Sequence, residues 1–204
     1  KMLAVEEIPE DIITQSKILH IGSISLTDEP CRSATVYAVN TARQNGVIVS
    51  YDPNFRASLW KDKNEAIITM RSMKISEEET ELLTGKADYT EAADILIGQG
   101  VKIVAVTLGK KGAFVRTEKG GILVKGFTNS AVDATGAGDA FWGGFLYKLA
   151  ESGKKLCELT PEEVSEFADF GNASASVCVE NYGAIPAMPT LEQVLKKQKE
   201  ERQK

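Results

Sequence analysis

The stretch VDATGAGDAFWGGFLYKLA, residues 132–150, decides how the rest of the chain is read. Its glycines at 136 and 138 free the backbone to turn, and Phe141, Phe145, Leu146 and Leu149 recur just downstream at helical spacing. A glycine loop therefore abuts a helix N-terminus. There the amides of Ala137, Gly138 and Asp139 are unpaired and the macrodipole is positive, which suits an anion and phosphate in particular. Asp139 admits two readings at this point: a helix cap, or an acid set at the edge of an anion site. Two familiar phosphate fingerprints are excluded by spacing. A GxGxxG beginning at Gly136 would need glycine at 141, where the chain has Phe, and no GxxxxGK[ST] occurs. An anion cradle with an acid attached suits a kinase, which must stabilise a transferring phosphoryl group while a hydroxyl loses its proton.

Upstream of this stretch the pattern alternates between strands and helices. Residues 17–24 (KILHIGSI) read as a buried strand, 31–45 as a helix ended by Asn45-Gly46, and 47–52 (VIVSYD) as a second buried strand. Helical spacing covers 61–73, a short strand fits 73–75, and SEEETELLTG, 76–85, reads as a helix stopped by Gly85. A further helix is expected near 90–99, then the clearest strand, VKIVAVTLG at 101–109, and two strands at 113–117 and 121–125 around the turn EKGG. Helices follow at 138–151, 161–180 and 190–202, and the KKQKEERQK tail reads as frayed and solvated. Strands separated by helices favour a parallel, doubly wound sheet, and 204 residues favour one α/β domain over 1–204.

Composition narrows the function classes. Lys and Arg total 24 against 29 Asp and Glu, a net charge of -5, so a basic surface for nucleic acid is not expected. Cys31, Cys157 and Cys178 form no CxxC pair, which argues for a reducing compartment, the cytoplasm, and against a disulfide framework or structural zinc. The single histidine, His20, cannot build a metal cluster and reads as a packed strand residue. No segment is long and apolar enough for a membrane span.

Other short strings fall in line with the opening stretch: DPNFRASLW at 52–60, KISEEETELLTG at 74–85, VTLGKKGAFV at 106–115 and NYGAIPAMPT at 181–190. Together with VDATGAGDAFWGGFL they resemble the PfkB, ribokinase-like, carbohydrate kinases, and DPNxR, KISEEE and GAIPAxPT resemble the fructokinase branch. The resemblance implies a three-layer α/β/α sandwich with a mostly parallel, doubly wound sheet, and a chain that lacks the family's N-terminal part and lid. It implies an ATP-dependent sugar kinase, with fructose as the favoured acceptor, ribose and 2-dehydro-3-deoxygluconate as alternatives, and a non-catalytic nucleotide-binding fragment as the reading from another class. Expected partners are a small-molecule sugar and ATP with Mg²⁺; pairing into a homodimer stays open.

Residue by residue, the resemblance makes Asp139 the general base, with Gly136, Ala137 and Gly138 forming the anion hole. Thr107, Gly109 and Gly112 would line the nucleotide site and Asn172 would lie beside adenine. Asp133, the Thr135 carbonyl and Gly183 are similar to positions that bind a monovalent cation such as K⁺. Glu79 would order water around Mg²⁺; where many members have Asn, this chain has Ser76, which also fits an N-cap. Glu77 and Glu78 read as solvated first-turn acids. Arg56 follows a strand end, where it either meets substrate or phosphate or is a solvated surface residue, and Asp52 and Asn54 read as shaping that turn.

Overall fold

The computed structural model describes residues 2–54 and 72–202 of the chain. Arg56, the Leu-Trp pair after it and most of the helix expected over 61–73 lie outside the described residues; the end of that helix, at 72–73, is strand instead. The chain gathers into two compact units, Lys1–Val104 and Ala105–Lys204.

The first unit contains α1 (Glu10–Thr14), β1 (Ile18–Gly22), α2 (Cys31–Gln44), β2 (Ile48–Asp52), β3 (Ser72–Ser76), α3 (Glu77–Thr84) and α4 (Tyr89–Gly98). Strand β2 pairs in parallel with β1, from Ile18↔Ile48 to Gly22↔Asp52, and with β3, through Ser50↔Ser72 and Tyr51↔Met73. Parallel neighbours need a crossover, and α2 supplies the one between β1 and β2. Its Ala34, Ala38, Val39 and Ala42 are buried at the spacing of one helical face, and Gly46 at φ 73° ends it as the Asn-Gly signal predicts. Helix α4 is capped by Asp88, whose carboxylate accepts from the amides of Thr90 and Glu91.

Strand β1 departs from its expected burial. Only Ile21 is buried in it, and alternation along the strand turns His20 outward, its Nδ1 lying 3.1 Å from the Ser50 hydroxyl. His20 is therefore an exposed, hydrogen-bonded strand residue rather than a packed one.

Strand β4 (Ile103–Thr107) carries the boundary between the units. Beyond it the second unit holds the antiparallel hairpin of β5 (Gly112–Thr117) and β6 (Gly120–Lys125), then α5 (Ala137–Ser152), α6 (Pro161–Cys178) and α7 (Leu191–Arg202). Helices α5 and α6 approach closely because two contact positions carry no side chain. A Cβ at Gly144 would stand 2.5 Å from Ser174 Oγ, and one at Gly171 would stand 2.7 Å from the Phe141 carbonyl. Phe141, Trp142 and Phe145 are buried along α5, with Trp142 stacked on Phe145 at 4.8 Å and Phe167 of α6 edge-on to Phe145 at 5.9 Å.

The C-terminal tail is ordered helix, not the frayed end that its charge run predicts. Arg202 lies 4.1 Å over the Phe127 ring and donates to Asp169 Oδ1 at 2.8 Å and to the Lys125 carbonyl at 2.6 Å. Lys197 sits between Glu180 and Glu201 at 3.1 and 3.3 Å, and Val194 packs with Phe127, Phe170 and Ala173. These contacts give a strongly charged segment a docked face.

Candidate active site

The loop before α5 is pinned from several directions. The amides of Val132 and Asp133 both donate to the Val179 carbonyl, at 2.7 and 3.2 Å. Asp133 Oδ1 accepts from the Thr135 amide at 2.9 Å and hydroxyl at 2.6 Å, while Oδ2 accepts from the Gly183 amide at 2.9 Å. The Thr135 hydroxyl first, then the Gly183 and Thr135 amides, hold the Asp133 carboxyl below its ordinary value. The three residues expected around a monovalent cation are thus brought together, and a carboxylate beside a peptide carbonyl is the oxygen donor type that such a hard ion takes. Among the described residues no group of three or more His, Cys, Asp or Glu is arranged to hold a metal ion.

Gly136 then takes the N-cap position of α5 at φ 80°, where a Cβ would lie 2.9 Å from that of Ala184, so a side chain is excluded twice over. The Ala137 amide donates back to the Ala134 carbonyl at 3.1 Å, and the Ala140 amide closes the first turn onto Gly136 at 2.8 Å. Ala137 is therefore not one of the free donors counted from sequence, which leaves the amides of Gly138 and Asp139 as the donors of the turn without a backbone partner among the described residues. Asp139 occupies the third helical position, not the cap. Its side chain is exposed and makes no hydrogen bond or ion pair among the described residues. The capping alternative thereby loses its geometry, since the cap is a glycine.

Directly beside this turn lies a cavity of about 250 Å³, lined by Thr107, Gly109 and Gly112 after β4, by Ala137 and Gly138 of the turn, and by Asn172 of α6. Residues picked from three separate stretches of sequence thus share one concave surface. Gly112 is there for a structural reason as well: at φ 106° a Cβ would fall 2.1 Å from the Val124 carbonyl of the neighbouring strand. Asn172 is buried, and its amide group donates to the carbonyls of Val124 and Lys125 at 3.2 and 3.3 Å, tying α6 to the end of β6. Phe127, Asn129 and Ser176 also line the cavity and were not read from the sequence. The signal for Ser176 was its position four residues after Asn172, which puts both on one helical face.

The remaining candidates belong to the first unit. Ser76 is the N-cap of α3, and Glu79 Oε2 accepts from its amide at 2.7 Å and its hydroxyl at 2.9 Å. Glu79 is buried whereas Glu77 and Glu78 are exposed, as the register read from SEEE requires. Asp52, at the end of β2, shapes the following turn by accepting the Asn54 amide at 3.1 Å, with Asn54 at φ 39°. It also forms a buried ion pair with Lys74 at 2.7 Å, which the sequence pattern did not reveal. Tyr51 beside it is fully buried with its hydroxyl unpaired among the described residues, and burial first, then the Asp52 and Glu79 charges, push its pKa well above the ordinary phenol value.

Known proteins resemble this chain in sequence and in fold. The chain is 40% identical over 197 residues to "Probable fructokinase-5" of Arabidopsis thaliana, covering 93% of this chain and 60% of that protein. Its fold superimposes on that of a fructokinase with bound ATP from Xylella fastidiosa with a TM-score of 0.88 at 28% identity, over 98% of this chain and 66% of the other. A fructokinase double mutant from Vibrio cholerae O395, bound to fructose, ADP and potassium ion, gives 0.85 at 30% identity, over 96% and 64%. The chain spans about three fifths of the length of its curated relatives. The architecture is therefore the ribokinase-like α/β fold. Residues 2–191 match the pattern of the pfkB family carbohydrate kinases, and the chain belongs to that family.

Proposed function

We propose that the intact protein is an ATP-dependent sugar kinase acting on fructose, with Asp139 as general base. The observation that carries this reading is an exposed carboxylate, without a hydrogen bond or ion pair among the described residues, on the first turn of a helix whose glycine turn walls a cavity. Asp139 takes the proton of a sugar hydroxyl as that oxygen attacks the γ-phosphorus; the bond to the β-γ bridging oxygen breaks, and ADP leaves. The amides of Gly138 and Asp139 point where negative charge gathers on the transferring group, and the helix dipole adds to them. Thr107, Gly109, Gly112 and Asn172 form the walls against which the nucleotide lies. Mg²⁺, when bound, would neutralise phosphate charge, and Glu79 is the acid proposed to order its water. Asp133, the Thr135 carbonyl and Gly183 would hold K⁺, which fixes the shape of the loop leading into the turn.

The relatives support fructose over other acceptors, because those named here are fructokinases and one holds fructose with ADP. A cytoplasmic setting is supported by three free cysteines among the described residues, which also contain no helix long and apolar enough to cross a membrane. The test is a coupled assay of the protein expressed in full, with ATP and Mg²⁺ against fructose, ribose and 2-dehydro-3-deoxygluconate, the product identified by nuclear magnetic resonance. Fructose 6-phosphate as the preferred product is expected. Nucleotide binding without turnover on any sugar would overturn the kinase reading.

A further inference from the structure

The cavity contains a polar group that the function proposed above leaves without a task. Ser176 is buried at 3% exposure in α6 and is among the residues that line the cavity; its hydroxyl oxygen is turned away from solvent in this rotamer and has no hydrogen-bond partner among the described residues. Nearby Ser174 shows what an ordinary buried helical serine does: its hydroxyl donates to the Phe170 carbonyl one turn back, at 2.9 Å. Ser176 does not take that option. Native structures rarely leave a buried hydroxyl unpaired, and one in the wall of a cavity is satisfied when a ligand supplies the partner.

Asn172, one turn earlier on the same face, would otherwise be the obvious side chain to read a ligand here. Its two donor hydrogens are committed to the Val124 and Lys125 carbonyls, so it braces α6 against β6 and has only its carbonyl oxygen, an acceptor, to offer a ligand. The hydroxyl of Ser176 is both donor and acceptor and turns on a single side-chain bond, so it can meet either kind of group. The wall around it is largely small or aromatic, with Ala175, Val179, Phe127 and Phe141, a setting for a flat heteroaromatic ring. We infer that Ser176 is a specificity residue of the nucleotide site, turning its hydroxyl onto a polar atom of the purine base while the donor hydrogens of Asn172 hold the wall in place.

This inference rests on the cavity being the nucleotide site, and the experiment separates the two. Dissociation constants are measured by calorimetry on the protein expressed in full, as wild type, Ser176→Ala and Ser176→Cys. The probes are ATP, ATP analogues each lacking one ring nitrogen or the exocyclic amine, and inorganic tripolyphosphate. Ser176→Ala should weaken ATP binding about three- to tenfold, the size of one hydrogen bond exchanged with water. One analogue should bind wild type as weakly as ATP binds the variant and be indifferent to the substitution, while tripolyphosphate binds both alike. Without ligand, Ser176→Ala should melt no lower than wild type, because the group removed is unpaired. Equal binding of every probe by wild type and both variants overturns the inference and leaves the nucleotide site standing. A lower melting temperature with a uniform loss of all probes, tripolyphosphate included, makes the hydroxyl structural and also overturns it. A wild type that binds tripolyphosphate but not ATP removes the nucleotide site itself.

Discussion

Two aspartates, Asp52 at the end of β2 and Asp139 on the first turn of α5, are treated in opposite ways. Asp52 is buried, with one carboxylate oxygen on the Lys74 ammonium and the other on the Asn54 amide. Asp139 is exposed and engages no donor among the described residues. A buried charge must be paired because desolvation penalises it by several kcal/mol, whereas an exposed carboxylate keeps its solvation and stays available to a ligand. The same difference in burial separates Glu79, held by Ser76, from Glu77 and Glu78, which are exposed. Acids that shape the backbone are already satisfied, and an acid that acts on substrate has to be left unsatisfied.

The contrast breaks most sharply if activity and stability fail to separate. Asp139→Asn in the intact protein should lower turnover by about 10²–10⁴-fold, the usual contribution of a general base, with ATP affinity and melting temperature nearly unchanged. Near-normal turnover would make Asp139 a surface acid. Lys74→Met should behave in reverse: with Asp52 left charged and unpaired in a buried place, the protein should lose about 3–5 kcal/mol in a denaturant titration. A loss below 1 kcal/mol would mean that water reaches the pair and that burial is not what distinguishes the two aspartates.

Glu79 tests the boundary between the two kinds of acid, since it is both a capping partner and the candidate holder of hydrated Mg²⁺. If it orders metal-bound water, Glu79→Gln should raise the Mg²⁺ concentration for half-maximal rate by about 10–100-fold, the range for outer ligands of a metal site. Glu77→Gln and Glu78→Gln should leave that concentration unchanged. A shift in either of these without one in Glu79 would move the metal assignment. The smallest effect concerns Cys178, whose thiol is raised above its ordinary value by burial first and by the Asp139 and Asp133 charges next. It stays protonated at neutral pH, so iodoacetamide should label exposed Cys157 well before Cys178, followed by mass spectrometry. Asp139→Asn should narrow that gap slightly, since one of the two charges is removed.

Local signals carried much of the architecture. An unbroken apolar run predicts β4, Asn45-Gly46 predicts the end of α2, and the apolar spacing behind the glycine loop predicts α5 to within a residue or so. Local geometry at the candidate site was legible where the signal is local, as in the glycine at the start of α5 and the burial of Glu79 beside exposed Glu77 and Glu78. It was not legible where partners come from distant stretches. The Lys74–Asp52 pair depends on parallel register across a 22-residue separation, and the docking of the tail on Asp169 and Phe127 depends on where α6 and the end of β6 have already gone. Ser176 was overlooked for a related reason: one serine among several small residues of α6 looks ordinary until the cavity and its missing partner are seen together.

The Gly183 amide on Asp133 gives the loop before α5 a history in time as well as a shape. A ribosome has delivered every glycine of the GAGD turn by residue 138, but the donor that closes the loop emerges only with residue 183, a few seconds later at ordinary rates of synthesis. Through that interval the nascent chain carries the turn without its fastening. A message broken between residues 152 and 183 would yield a chain whose β-hairpin and α5 are complete in sequence and whose loop before α5 has never been locked.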